Sequence, residues 1–103
     1  HFQLGSAELP AELKKQLDVF AQVLSNRPSD SPPIVVTGHA DASGDASLNQ
    51  VLSSERAKAV KTYLTQKGVS PSLLRVEGKG ADKLADVNNP FAPANRRVEI
   101  SRQ

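Results

Sequence analysis

A long helical pattern in the second half of the chain carries an arginine on its apolar side. At about 100° per residue, the hydrophobic side chains of residues 47–66 fall on one arc, and Asn49 and Arg56 fall inside the same arc. The apolar members of this arc are Leu48, Leu52, Ala57, Ala59, Val60, Tyr63 and Leu64. A guanidinium stays protonated in proteins, so Arg56 needs an anion or a route to water on the side that faces the core. The pattern therefore indicates a binding site beside this helix.

The length and composition of the chain limit it to one small soluble domain. At 103 residues it can build a single core. We expect one domain over 1–103, cut from a longer protein because the sequence starts at His1 without a methionine. No run approaches the roughly 20 apolar residues of a membrane span. The absence of cysteine excludes thiol catalysis and thiolate metal sites, and it fits a reducing cytoplasm or a disulfide-free periplasmic protein.

Hydrophobic periodicity predicts six elements in the order strand, helix, strand, helix, strand, strand. They are a strand at 2–4, a helix at about 10–25, a strand at 34–37, a helix at about 47–66, and strands at 74–78 and 97–101. Two helices on one face of a small mixed sheet give a two-layer α+β sandwich of βαβαββ order. Strands joined through a helix should run parallel, and the last two strands should pair antiparallel.

The ends and faces of the two helices are also marked in the sequence. We expect Ser47 to cap the start of the second helix and Gly68 to end it in a left-handed conformation. The side of the first helix that faces the core should carry Leu13, Leu17, Phe20 and Leu24, which recur at helical spacing.

The loop between the central strand and the second helix supplies an acid for the unusual arginine. Asp41 follows the carboxyl end of the strand, and Arg56 lies two turns into the helix. One interpretation is a salt bridge between them that rigidifies the loop. The other is a site for a zwitterion, in which Asp41 takes an ammonium group, Arg56 takes a carboxylate, and Asn49 is an amide between them.

Catalytic and metal sites receive little support from the same loop. His39 and Asp41 would need a third metal ligand, and the only other histidine is His1. Ser43 and Ser47 lack the surrounding motif of an activated nucleophile. We therefore predict no catalysis, no metal and no cofactor. His39 is interpreted as a structural residue that hydrogen-bonds the loop or the neighbouring strand.

These residues together resemble the signature of the OmpA-like C-terminal domain family. The matching residues are Gly38-His39-Ala40-Asp41-x-x-Gly44, Asn49-x-x-Leu52-Ser53-x-x-Arg56-Ala57-x-x-Val60, Tyr63-Leu64, Gly68-Val69, Gly78-x-Gly80 and Asn95-Arg96-Arg97-Val98-Glu99. The opening Phe2-x-Leu4-x-Ser6-x-x-Leu9 is similar to the first strand and turn of the family. The resemblance implies an OmpA-like fold that binds bacterial peptidoglycan non-covalently, mainly through the diaminopimelate of the stem peptide.

The resemblance also implies roles for individual residues. It assigns the ammonium of diaminopimelate to Asp41 and its carboxylate to Arg56. Further matches to positions that line the pocket are Asn49, Leu52 and Arg97, with Ser6, Thr37 and Gly38 as weaker candidates. The chain departs from the family pattern at Leu84, which occupies a proline position, and at 86–94, which form a shorter loop without the extra arginine of the family.

We interpret the chain as a periplasmic peptidoglycan-binding domain that anchors a Gram-negative envelope protein to the cell wall. The parent protein is expected to be attached to the outer membrane or envelope, and a homodimer is left open. One alternative is a protein–protein interaction module of the same fold that has lost cell-wall binding. A second is a nucleic-acid binder that uses Arg96, Arg97 and Arg102. The small net charge of +2 and the four aromatic residues argue against nucleic acid.

Overall fold

One apolar strand lies at the centre of the sheet. The computed structural model describes residues 1–28 and 30–102. Its helices and strands are α1 (Ala11–Leu24), β1 (Ile34–Gly38), α2 (Ala46–Gln66), β2 (Leu74–Gly78) and β3 (Val98–Arg102), with 3-10 turns at Pro71–Leu73 and Pro93–Asn95. β1 pairs in parallel with β2, where Val36 lies opposite Val76, and antiparallel with β3, where Val36 lies opposite Ile100. A right-handed crossover through α2 is the expected way to join two parallel strands.

The helices and the sheet share one core. α2 packs directly on β1 and β2, and α1 packs beside α2. The buried hydrophobic cluster consists of Leu17, Ala21, Leu24, Ile34, Val36, Ala57, Val60, Leu64, Val69, Leu73 and Leu74. The predicted architecture, a small α+β sandwich with two helices and a mixed sheet, is therefore confirmed.

The buried side of α1 differs from the prediction at one position. Phe20 is 44% exposed, whereas the neighbouring Ala21 is buried. On a helical wheel Ala21 lies about 40° from Leu17 and Phe20 about 60° from it on the other side, beyond Leu24. The phenylalanine thus falls at the edge of the stripe, where its ring stays largely in solvent.

The two ends of α2 are set by local hydrogen bonds. Asp45, not Ser47, is the N-cap: its carboxylate accepts a hydrogen bond of 2.8 Å from the backbone N–H of Ser47. Gly68 ends the helix with φ +102°, as predicted, and the N–H of Val69 donates to the carbonyl of Leu64. Within residues 1–28 and 30–102, no helix is both long and apolar enough to cross a membrane.

β1 and α2 touch at their backbones. A Cβ atom on Gly38 would lie 1.8 Å from the carbonyl oxygen of Ser53, so only glycine fits at this strand position. Ser53 and Ala57 are small, and both are fully buried where the helix crosses the strand. This close approach holds the loop after β1 against the middle of α2, which is where the candidate site forms.

The predicted strand at 2–4 does not form. Phe2 is buried and its N–H donates to the carbonyl of Arg96, but Leu4 is 65% exposed and the chain turns at Gly5, which has φ +68°. The carbonyl of Gln3 accepts a hydrogen bond from the buried guanidinium of Arg56 instead of from a neighbouring strand. The Gln3 carbonyl is therefore bonded by the side chain of Arg56 and not by a neighbouring strand.

The predicted pairing of the last two strands is also wrong. β3 lies on the far side of β1 from β2, so the two never meet. Residues 79–97 form the connection, and this segment is long enough to cross the end of β1 instead of closing a hairpin. The alternation within β3 agrees with the prediction: Val98 and Ile100 are partly buried, and Glu99 is exposed.

Candidate functional site

Arg56 is held in the core by three backbone carbonyls. Its side chain is fully buried, with an exposed fraction of 0%. Nε donates to the carbonyl of Ser6 (2.8 Å), Nη1 to that of His39 (2.9 Å) and Nη2 to that of Gln3 (3.0 Å). The guanidinium carbon also lies 4.9 Å from the centroid of the Phe2 ring. One side chain of α2 therefore fastens the N-terminal segment and the loop after β1.

Arg56 stays positively charged although its side chain is buried. Burial lowers its pKa to about 10; nearby Arg96 acts in the same direction, and Asp41 opposes both. The guanidinium therefore remains protonated near neutral pH. Its buried positive charge is balanced by carbonyl dipoles in direct contact and by a carboxylate close by.

Asp41 forms its ion pair with Arg96 and not with Arg56. Nη1 of Arg96 lies 3.0 Å from Oδ2 of Asp41, and both side chains are largely buried. Oδ1 accepts hydrogen bonds from the backbone N–H of Ser43, at 3.0 Å, and from its hydroxyl. Burial alone would raise the pKa of Asp41, but the bonds from Ser43 and Arg96 outweigh it and hold that pKa below its ordinary value. The salt-bridge interpretation was thus right about the acid and wrong about its partner.

These charged groups open onto a cavity of about 360 Å³. It is lined by Leu4, Gly5, Asp41, Ser43, Gly44, Asp45, Leu48, Asn49, Leu52, Arg56 and Arg96. Two carboxylates and two guanidiniums therefore stand on the same wall as three leucines. Four predicted site residues, Asp41, Asn49, Leu52 and Arg56, are brought together here.

Leu48 belongs to this cavity and not to the core. It was predicted on the apolar arc of α2, yet it is 66% exposed. The leucine is the third residue of α2, and its side chain lines the cavity. Its apolar surface is available to a ligand.

A larger cavity of about 460 Å³ lies elsewhere, between the start of α1 and the outer side of α2. Its four charged residues, Glu8, Lys14, Glu55 and Lys58, are all exposed. Water solvates such groups well, so this surface offers a ligand little electrostatic advantage. The smaller cavity, with its buried charges, is the stronger candidate site.

The remaining predicted site residues do not line the cavity. Arg97 points to the other side of β3, where Nε donates to Glu99 (2.6 Å) and Nη2 donates to the carbonyl of Lys83 (2.8 Å). Thr37 and Gly38 lie within β1, and Ser6 touches the site only through its carbonyl on Arg56. Their roles in binding stay predictions.

Of the two arginines before β3, Arg96 and not Arg97 lines the cavity, and the sequence carried a signal for this. Val98 and Ile100 face inward in β3, and Arg96 precedes Val98 by two residues, so strand alternation places it on the same side. Arg97 shares the outward side of Glu99. The alternation of side chains along the strand could therefore have placed Arg96, and not Arg97, on the side of the cavity.

The short segment at 81–95 folds away from the cavity, since none of its residues lines the wall. Asn95 is fully buried and organises the segment: its amide nitrogen donates to the carbonyls of Asp86, Asn89 and Pro90, and its oxygen accepts from the N–H of Asp86. The carbonyl of Pro90 in turn accepts a hydrogen bond of 2.9 Å from Ala42 in the site loop. This segment supports the loop that carries Asp41.

The hydrogen bonds of His39 are made by its backbone and not by its ring. Its ring is buried, and neither ring nitrogen has a hydrogen-bond partner. Only its backbone bonds the surroundings: the N–H donates to the carbonyl of Arg97 (2.8 Å), and the carbonyl accepts from Arg56. The Glu99 carboxylate that lies 3.7 Å from Nε2 is already paired with Arg97.

Comparison with known proteins places this chain in a family. Residues 1–97 match the OmpA family, and the chain belongs to it. It is 35% identical to a peptidoglycan-associated lipoprotein of Pseudomonas aeruginosa, over 99% of this chain and 60% of that protein. It is 38% identical to an outer membrane protein A of Bordetella avium, over 96% of this chain and 51% of that protein. The chain thus spans about half to three fifths of the length of these relatives.

A solved structure agrees with the sequence comparison. The peptidoglycan-associated lipoprotein of Burkholderia pseudomallei superposes with a TM-score of 0.87 at 25% identity. The match covers 100% of this chain and 87% of that structure. The OmpA-like fold expected from the sequence is confirmed.

Proposed function

We propose that this domain binds peptidoglycan non-covalently through the diaminopimelate of the stem peptide. The observation that carries the proposal is the cavity wall, on which the Asp41 carboxylate lies 3.0 Å from Arg96 with the charged Arg56 beside them. Opposite charges side by side match the free ammonium and carboxylate at the end of a zwitterionic side chain. Membership in the OmpA family and the name of a relative, peptidoglycan-associated lipoprotein, support peptidoglycan as the binding partner.

The hydrogen bonds already present leave room for such a ligand. An ionised carboxylate has about four lone-pair sites and a guanidinium has five N–H donors. Asp41 accepts three hydrogen bonds within the described part of the chain, so a ligand ammonium can add a fourth. Arg56 is fully buried and already donates three, so it would act on a ligand carboxylate through its charge. Asn49 supplies an amide, and Leu52 supplies apolar surface for the methylene groups of the ligand.

The binding that we propose has no catalytic step. The site would hold its ligand with a dissociation constant on the order of micromolar to millimolar, because the cavity is open to water. We propose a single domain over 1–103 that anchors a periplasmic part of an envelope protein to the cell wall. Attachment of the parent protein to a membrane belongs to the same proposal.

One feature of the site favours a second candidate function. Both oxygens of Asp41 and all three nitrogens of Arg56 have partners within the protein. A site that satisfies its own charges would also suit a protein–protein module of this fold that no longer binds the cell wall. The two functions differ in one observable, which is retention of the domain by purified sacculi.

Co-sedimentation with purified peptidoglycan sacculi tests the proposal. Wild type should sediment, whereas Asp41→Asn and Arg96→Gln should stay mostly in the supernatant. Arg102→Gln is the matched control, since it removes the same charge from an exposed residue outside the cavity. Free diaminopimelate should compete with the sacculi for wild type.

Two results would contradict the proposal. If wild type stays in the supernatant, the protein–protein alternative is favoured. If Asp41→Asn sediments as well as Arg102→Gln does, the cavity is not the binding site. Circular dichroism of each variant separates loss of binding from loss of the fold.

A further inference from the structure

We propose that His39 is an acid-sensitive element of this domain: when its imidazole gains a proton, the fold around the cavity is destabilised. The residue follows β1 directly. Because Gly38 faces α2 and successive strand residues alternate, the ring of His39 lies on the sheet face away from that helix. The ring is buried there, and it has no role in the ligand contacts described above.

The surroundings of the ring suit a neutral imidazole and not a cation. Both ring nitrogens are buried without a hydrogen-bond partner. The nearest carboxylate, Glu99, lies 3.7 Å from Nε2, but Nη2 of Arg97 already holds it at 2.6 Å. A protonated His39 ring would therefore share the Glu99 carboxylate with Arg97, which has the closer contact.

The other charged groups around His39 are mostly positive. Lys79 follows β2 and Arg97 precedes β3. Both place positive charge near the ring, and Glu99 is the one acid that acts on it. Lys79 itself pairs with Glu77 at 3.8 Å. On the remaining side, Arg56 of α2 donates to the carbonyl of His39. Burial lowers the pKa of His39, Arg97 and Lys79 lower it further, and Glu99 opposes them only in part.

The sign of the pH effect follows from linkage. The folded domain binds a proton at His39 less readily than the unfolded chain does, where the pKa is about 6.5. The stabilising contribution of neutral His39 is therefore fully present above pH 6.5. It is lost as the pH falls from there towards the pKa of His39 in the folded domain. One proton corresponds to a rise of up to about tenfold in the unfolding constant for each pH unit in that window.

The ring is coupled to the cavity through its backbone. The carbonyl of His39 holds Nη1 of Arg56, and Asp41 follows two residues later. If the charged ring moved towards water, it would pull on this short segment. It would also strain the hydrogen bond from the N–H of His39 to the carbonyl of Arg97. The consequence is a cavity wall that loosens as the pH falls below about 6.5, which is above the ordinary pKa values of carboxylates, near 4.

Two measurements on the whole chain test this inference, and neither contains a ligand. NMR of the histidine rings compares His39 with His1, an exposed internal reference. Urea unfolding between pH 8 and 5 compares wild type with His39→Gln, using His1→Gln as the matched control. We expect the His39 pKa to fall below that of His1. We also expect the unfolding constant of wild type and His1→Gln to rise towards pH 5, and that of His39→Gln to stay nearly constant.

The inference is wrong if His39 titrates at or above His1, or if His39→Gln loses stability with the same pH slope as wild type. Should His39→Gln not fold, the NMR titration of wild type decides alone, and Glu99→Gln provides a second variant. Removing the one acid near the ring should lower the His39 pKa further. Because no peptidoglycan is present, a negative result here leaves the proposed function untouched, and failure to bind sacculi leaves this inference untouched.

Discussion

Replacing Arg56 tests whether its main role is to hold the N-terminal segment and the loop after β1 in place. Arg56→Met keeps a long side chain but removes the three donors that hold the carbonyls of Gln3, Ser6 and His39 at 2.8–3.0 Å. Hydrogen bonds to charged groups contribute about 1.5–3 kcal/mol each. Water from the adjoining cavity can reach some of the freed carbonyls, so the sum is reduced. We expect a loss of about 3–5 kcal/mol, near or below the lower end of that sum.

The assay is urea unfolding followed by circular dichroism, with Arg75→Met as the control. Arg75 is exposed on β2, and its replacement should change the free energy of unfolding by less than about 0.5 kcal/mol. Arg56→Lys keeps the charge with fewer directed donors and should fall between the two. A loss below about 1 kcal/mol for Arg56→Met would refute the reasoning, since it would mean that the three carbonyls gain nothing from the guanidinium.

Two further predictions concern the strand and loop that border the site. Gly38→Ala should lower the free energy of unfolding by about 1–3 kcal/mol in urea, because its Cβ would meet the Ser53 carbonyl at 1.8 Å; an unchanged midpoint would disprove the backbone contact. Asp41 has a lowered pKa, so it stabilises the fold above its unfolded value of 3.8 and loses this effect as the pH falls through the folded one. Asp41→Asn should thus show a shallower loss of stability below pH 4 than wild type, and equal slopes would contradict the role of the Arg96 pair.

Local patterns predicted most of the helices and strands but not their partners. The period of residues 47–66 located α2 and identified Arg56 as a residue that needs a polar partner. Gly68 ends the helix as expected because its left-handed conformation is a property of one residue. The strands at 34–37 and 74–78 likewise follow from a short apolar pattern.

The errors share a physical cause, which is that they depend on contacts between distant segments. The acceptors of Arg56 include carbonyls fifty and more positions away, and the direction of a carbonyl leaves no trace in side-chain pattern. Whether β3 joins β1 or β2 likewise depends on the path of residues 79–97 and not on the alternation within the strand. The position of Arg96 beside the cavity is different, because the alternation of side chains along the strand could have predicted it.

The hydrogen bonds that hold the N-terminal segment have a mechanical consequence. Residues 2–6 are fastened by the Arg96 guanidinium on the Phe2 carbonyl and by Arg56 on the carbonyls of Gln3 and Ser6. Tension applied to the chain at its first residue would therefore act on both guanidiniums before it reached the strands of the sheet. Since Arg96 also holds Asp41, the line of force runs through the wall of the cavity. If the domain anchors one structure to another, as we propose, the bonds that hold the ligand and those that carry the load would be the same few.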